Sequence, residues 1–322
     1  MKTNYVLNSK EQVNYNGQTL YLRIKSMDVT NPVVLFLHGG PGTPDRSIIM
    51  KHQAPLAEFC TMVAWDQRCA GHAYDKKAIG KETLTWDVVL QDVYNVISYL
   101  KERFGKQKIY IVGHSYGSML GAMTAQKFPD DIEAFIGIGQ VVDLVQSEVI
   151  SYQFTLDEAK KRKDAKAVKL LEELGAPVNG QYKDGNVFLQ RKYLSKYGGG
   201  TYGSNQSHNM MILSLLPLFL KDYSIFDMLF KYLKGNLYSI KQPIMTEPLN
   251  FFDVIKELNV PVYLLLGHHD YICSSALGEK WFNGLKAPIK ELVWFEKSAH
   301  SPHWEETELW NQTFLSKVLK IQ

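Results

Sequence analysis

The sequence predicts an α/β fold, a mostly parallel sheet flanked by helices, and three observations predict it. Continuous apolar runs occur at 33–37, 61–65, 108–112, 134–138, 261–266 and 291–295, as expected of strands whose two faces are both covered. Amphipathic helical patterns lie between them. The clearest, 85–104, places Trp86, Val89, Leu90, Val93, Val96, Ile97, Leu100 and Phe104 on one stripe and stops at Gly105. Finally, Gly113-His114-Ser115-Tyr116-Gly117 separates a β-like run from a helix-like one. Strands alternating with helices wind a parallel sheet on both faces.

Taken in order, residues 13–24 alternate around Asn16-Gly17, the signal of a β-hairpin. The run at 33–37 is the third strand and leads into His38-Gly39-Gly40-Pro41-Gly42; 61–65 is the fourth. The helix 85–104, the strand 108–112, a helix-like stretch 118–125 and the sixth strand 134–138 follow. The alternation then breaks from about Val141 to Asn250, a stretch rich in Tyr, Phe and Leu and interrupted by Gly198-Gly199-Gly200 and Pro217. We read it as a helical cap inserted after the sixth strand, its aromatic residues forming the cap's own core. This divides the chain into core 1–143, cap 144–250 and core 251–322. Repeats and low-complexity tracts are absent.

With 322 residues, the chain suits one α/β domain carrying a sizeable insertion. A net charge of +3, with no dense basic and aromatic cluster, argues against a nucleic-acid partner. The one basic cluster, Lys160-Lys161-Arg162-Lys163, alternates with acidic residues and reads as a solvated helix face. Cys60, Cys69 and Cys273 cannot all pair and show no metal-ligand spacing, which fits reduced thiols. The start of the chain lacks a signal core, and the longest apolar candidate, 210–220, contains Ser214 and Pro217 and is too short to span a bilayer. A soluble cytoplasmic protein without a membrane partner, monomeric or a small homo-oligomer, is expected.

A serine hydroxyl becomes a nucleophile when a base removes its proton and a third group orients that base. Ser115 sits at a strand–turn–helix junction between glycines, the context that a nucleophile elbow requires. Asp270 follows the 261–266 strand, and His300 follows the 291–295 strand across a short loop. Serine, acid and histidine in that order, each after a strand, is the arrangement of an α/β-hydrolase. Any one of them alone reads more blandly, as a turn, a cap or a structural histidine. His268 and His269 are weaker base candidates, and His114 is expected to pack or hydrogen-bond locally. The Gly-rich loop after the third strand brings backbone N–H groups close to the elbow, so Gly40 and Tyr116 are the candidate oxyanion donors.

His38-Gly39-Gly40-Pro41-Gly42, Asp66-Gln67-Arg68 with Gly71, and the 113–118 elbow together resemble the motif set of the proline iminopeptidase (prolyl aminopeptidase) group of α/β-hydrolases. The resemblance covers the core at both ends of the chain, and Asp270 and His300 match the group's acid and base. It implies an α/β-hydrolase fold, a serine peptidase mechanism without metal or cofactor, and release of N-terminal residues from short peptides. Departures are Cys69 where a glycine is usual, Ala73 where a serine is usual, and His114 and Tyr116 where Gly and Trp are usual. They leave the preferred first residue open. An aminopeptidase must also hold an α-ammonium group, which calls for carboxylates near the nucleophile. Glu148 and Glu247 are the candidates, with Gly39 as a backbone contact to substrate.

The leading expectation is therefore an aminopeptidase acting on a small peptide. An esterase or amidase acting on a small acyl substrate with the same three residues is the alternative, and carboxylates lining the cap pocket would separate the two. A non-catalytic binding protein of this fold has no need of serine, acid and base together. Haloalkane dehalogenases and epoxide hydrolases carry an aspartate where Ser115 stands.

Overall fold

The computed structural model describes residues 5–15, 17–75, 83–203, 220, 222–246 and 249–321. Eight strands form one sheet in the order β1-β2-β4-β3-β5-β6-β7-β8. They are β1 (Leu7–Tyr15), β2 (Gln18–Ser26), β3 (Val33–Leu37), β4 (Thr61–Asp66), β5 (Ile109–His114), β6 (Ile132–Ile138), β7 (Val262–Gly267) and β8 (Lys290–Phe295). The hairpin β1–β2 is antiparallel and joins β4 antiparallel; β3 to β8 are parallel. Asn16 of the expected hairpin turn lies outside the described residues.

The continuous apolar runs have a direct explanation in the pleat. Leu35, Ile111, Phe135 and Val262 are in register across four neighbouring strands and point to one face. There they meet Val93, Val96 and Ile97 of α2 (Trp86–Phe104) and Met119 and Leu120 of α3 (Tyr116–Lys127). Their neighbours Val34, Val112, Ile136 and Leu265 point the other way, against Ile49 and Met50 of α1 (Arg46–His52) and against Trp310 and Phe314 near the end of the chain. Both faces are dry, so no polar alternation is required. Helix α2 starts where Thr85 Oγ1 accepts from Val88 N at 3.4 Å and ends at Gly105, whose φ of +64° is the left-handed cap.

Between β6 and β7 the chain forms α4 (Leu144–Lys161), α5 (Ala165–Leu174) and α6 (Val187–Lys196), followed by further short helices from 227 to 254. Tyr152, Leu156, Ala159, Leu171, Tyr182, Tyr193 and Tyr197 form a separate small core among α4 to α6. The two ends of the insertion meet where Asp143 bridges Asn250 and Phe251 N donates to Val142 O at 2.9 Å. A buried ion pair docks its later part: Arg46 Nε lies 2.7 Å from Asp66 Oδ1, and the Tyr223 hydroxyl donates to the same oxygen at 2.6 Å. Among the described residues no helix is long and apolar enough to cross a membrane.

Candidate active site

Ser115 stands between β5 and α3 with φ 56° and ψ −124°, a conformation that side-chain-bearing residues rarely adopt. Its flanks must be glycine. A Cβ on Gly113 would lie 2.2 Å from Gly117 O, and one on Gly117 would lie 2.1 Å from Leu37 O. The strained turn is pinned by Ser115 N donating to Ile138 O (2.9 Å) and by Ser118 Oγ donating to Ser115 O (2.6 Å). Because α3 starts at Tyr116 with Ser115 as its N-cap, Ser118 N closes the first turn onto Ser115 O (2.8 Å), while the N–H groups of Tyr116 and Gly117 have no acceptor within the helix.

Asp270 and His300, expected on the loops after β7 and β8, are brought together. His300 Nδ1 donates to Asp270 Oδ2 at 2.9 Å, while Asp270 Oδ1 accepts from Ile272 N (2.8 Å) and Cys273 N (3.1 Å). Burial pushes the Asp270 carboxyl up, but the His300 ring and the two backbone donors outweigh it and hold it below its ordinary value. Burial likewise opposes a charge on His300, yet the adjacent Asp270 carboxylate holds the imidazole well above 6.5. Since a carboxylate only accepts, Nδ1 carries the proton and Nε2 is the basic atom of the neutral ring.

Cys273 is the residue that sequence reasoning missed. Its Sγ is 4.0 Å from Ser115 Oγ and clusters with Asp270 and His300. Burial pushes this thiol up, so it is neutral at ordinary pH and the charge facing His300 is that of Asp270. Among the described residues no hydrogen bond joins Ser115 Oγ to His300. In serine hydrolases such a contact often tightens only with substrate in place.

The Gly-rich loop after β3 lies directly over the elbow. A Cβ on Gly39 would sit 3.1 Å from Ser115 Cβ, a crowded contact that glycine avoids. His38 anchors this loop: Nδ1 donates to Gly39 O (2.9 Å) and Nε2 accepts from Gln67 N (3.2 Å). Burial lowers this imidazole to about 4, keeping it neutral. The Asp66-Gln67-Arg68 segment is thus a buttress. Asp66 holds Arg46, Tyr223 and His72 N, and Arg68 grips Asp92 of α2 with two 2.7 Å bonds.

Glu148 lies on α4 and forms an ion pair with Arg191 of α6, leaving its Oε2 buried without a partner. Glu247 lies outside the described residues. His268 pairs with the exposed Glu296 at 3.0 Å and His269 packs on Tyr202, so neither joins Asp270. His114 turns Nε2 to His300 O (3.1 Å) and Ser301 Oγ (3.2 Å).

This geometry has counterparts among known proteins. Residues 32–180 match a family model described as alpha/beta hydrolase fold. A probable aminopeptidase, YbaC of Bacillus subtilis, is 33% identical over 295 residues, covering 91% of this chain and 90% of the relative. The chain belongs to the α/β-hydrolase family. This hydrolase is also 25% identical to a proline iminopeptidase of Saccharolobus solfataricus over 91% of its length and 86% of that relative's. Among solved structures it is similar to the proline iminopeptidase of Mycobacterium smegmatis, with a TM-score of 0.69, 15% identity and coverage of 97% and 98% of the two chains. It is similar too to an esterase of Exiguobacterium antarcticum, with a TM-score of 0.62, 15% identity and coverage of 97% and 100%. Structural likeness at such identities shows the fold and does not choose between peptide and ester substrates.

Proposed function

We propose that this hydrolase is a serine aminopeptidase of the proline iminopeptidase type, cleaving N-terminal residues from short peptides through an acyl-enzyme. The observation that carries this reading is the Asp270–His300 hydrogen bond at 2.9 Å beside a serine held in a strained elbow. Ser115 Oγ attacks the scissile carbonyl carbon and its proton passes to His300 Nε2. The resulting oxyanion is held by the N–H groups of Gly40 and Tyr116, worth about 3 kcal/mol per donor in comparable sites. The intermediate collapses as His300 returns the proton to the leaving amine. Water, deprotonated by the same imidazole, then releases the acid and restores Ser115. Asp270 fixes the Nδ1–H tautomer and stabilises the imidazolium.

Peptidase chemistry is favoured over esterase chemistry by the aminopeptidase-named relatives and by the unpartnered Glu148 Oε2, an acceptor left for an ammonium group. The ion pair with Arg191 offsets Glu148's charge, and this observation keeps the esterase or amidase reading in play. The deciding experiment offers prolyl, alanyl and phenylalanyl arylamides, free and N-acetylated, beside short-chain p-nitrophenyl esters. Cleavage of the free amines, lost on acetylation and in Ser115→Ala, is expected. Ester turnover alone would replace the proposal with the esterase. If Glu148 reads the ammonium, Glu148→Gln raises KM for free amines and spares blocked esters; an equal effect on both removes that role.

A further inference from the structure

Next to the elbow, with the His114 ring packed on that of His300 at 4.9 Å between centroids, lies a second group of buried polar side chains that the mechanism does not use. Asp45, His114 and His303 each present a ligand atom, and these atoms all lie within 4.8 Å of one another. His303 is fully buried, and neither of its ring nitrogens has a hydrogen-bond partner. Asp45 is 6% exposed and its Oδ1 is also unpartnered. It stands at the N-cap of α1, where an aspartate ordinarily accepts from the helix's first N–H groups, yet its side chain makes no cap bond. Buried polar atoms without partners are rare, and three on two adjoining side chains need an explanation.

We propose that Asp45, His114 and His303 form a structural binding site for one divalent transition-metal ion of the zinc type. Two imidazoles and one carboxylate, with no thiolate, are a donor set suited to Zn2+ and its neighbours, and a water completes four-coordination. The group around His114 already has the expected outer contact. Its Nε2 lies 3.1 Å from His300 O and 3.2 Å from Ser301 Oγ, and the tautomer that donates from Nε2 to that carbonyl keeps on Nδ1 the lone pair a metal needs. The ion ties together three segments: the stretch after the Gly-rich loop, the elbow and the helical turn after His300. It carries no step of the hydrolysis, so the inference stands apart from the choice between peptidase and esterase.

The test uses full-length, tag-free protein. After removal of metals with a chelator, one equivalent of Zn2+ or Co2+ per chain is expected to bind. The cobalt form should show d–d absorption of nitrogen and oxygen coordination, and Tm should rise with either metal. His303→Gln and Asp45→Asn should lose both signals, and Cys273→Ala should keep them. Because either ligand variant could fail to fold, X-ray absorption on zinc-loaded wild-type protein decides independently: two imidazoles and light oxygen donors, with no sulfur. A sulfur scatterer or a thiolate–cobalt band abolished by Cys273→Ala would place the metal at Asp270, Cys273 and His300 and overturn the proposal. Absence of stoichiometric uptake would overturn it as well, leaving ordered water as the partner of these atoms.

Discussion

Asp270 and Asp45 are both buried carboxylates within reach of a histidine, Asp270 in the cluster with His300 and Asp45 in the one with His114 and His303. Asp270 accepts three hydrogen bonds, one from an imidazole and two from backbone N–H groups, and its acidity is strengthened. Asp45 has an unpartnered oxygen, and burial governs it. Similar burial with different partners gives opposite shifts. Desolvation sets the cost of a buried charge, and the number of donors aimed at it decides whether that cost is met.

The two carboxylates differ most visibly in turnover. Asp270→Asn leaves the shape of the loop but removes the charge that fixes the Nδ1–H tautomer, so kcat is expected to fall by about 10^4-fold. Steady-state kinetics on the preferred arylamide or ester checks this. A loss under tenfold would mean that His300 is oriented by something other than Asp270. The same substitution at Asp45 should leave kcat within about tenfold of wild type, because among the described residues no hydrogen bond or ion pair joins Asp45 to Ser115, His300 or Asp270.

A second difference lies in pH dependence. Protonated His300 cannot accept the Ser115 proton, and Asp270 holds the imidazole well above 6.5, so the acid limb of kcat/KM should lie above that value in wild type. In Asp270→Asn burial opposes the charge on the ring with only the Cys273 thiol left to support it, and the limb should move to lower pH. Stability follows from the same pair. Asp270, with its pKa lowered, contributes above 3.8 and loses its contribution as pH falls through the folded value. His300, with its pKa raised, contributes fully below 6.5 and loses it as pH rises through the folded value. The pair is therefore most stabilising between 3.8 and 6.5, and Asp270→Asn should lower Tm most in that window. A uniform loss across pH would mean that packing, not charge, is what the substitution removed.

In metal-free protein Asp45→Asn should go the other way. It removes a buried, under-partnered charge while keeping volume, so unfolding free energy at neutral pH is expected to rise by about 1–3 kcal/mol. Urea denaturation in the presence of chelator measures it. A destabilisation of similar size would show that the Asp45 carboxylate is held by partners in solution.

What was legible in the sequence follows the same division. The buried parallel strands announced themselves because both faces are apolar, and α2 because its stripe, its Thr85 cap and its Gly105 stop agree. Strand β1 was expected to begin at residue 13 but begins at Leu7. Its first residues, Leu-Asn-Ser-Lys-Glu-Gln, are mostly polar, and the strand is held by backbone pairing to β2, which leaves no apolar signature. The elbow and the strand-end positions of Asp270 and His300 were readable because strain and chain order are local properties. Cys273, Arg191 and the Asp45–His114–His303 group were not. A buried thiol has no pattern of its own, and ligands from three distant segments meet only once the sheet places them side by side.

The smallest expected effect concerns strain. Ser115 and Cys69 both hold a positive φ, 56° and 64°, although neither is glycine. At Ser115 the strain presents the hydroxyl. At Cys69, where the resembling family carries glycine, the backbone carbonyl packs closely on Gly235, on which a Cβ would lie 2.2 Å from Cys69 O. A left-handed non-glycine residue costs about 1–2 kcal/mol. Cys69→Gly would relieve that, while losing a buried side chain worth about 1 kcal/mol and adding unfolded-state freedom worth about 0.5–1 kcal/mol. The terms nearly cancel, so the urea midpoint should shift by less than the equivalent of about 1 kcal/mol, with kcat unchanged. A loss beyond about 2 kcal/mol would make the Cys69 side chain, 4% exposed in the main core, an anchor whose packing outweighs its backbone strain.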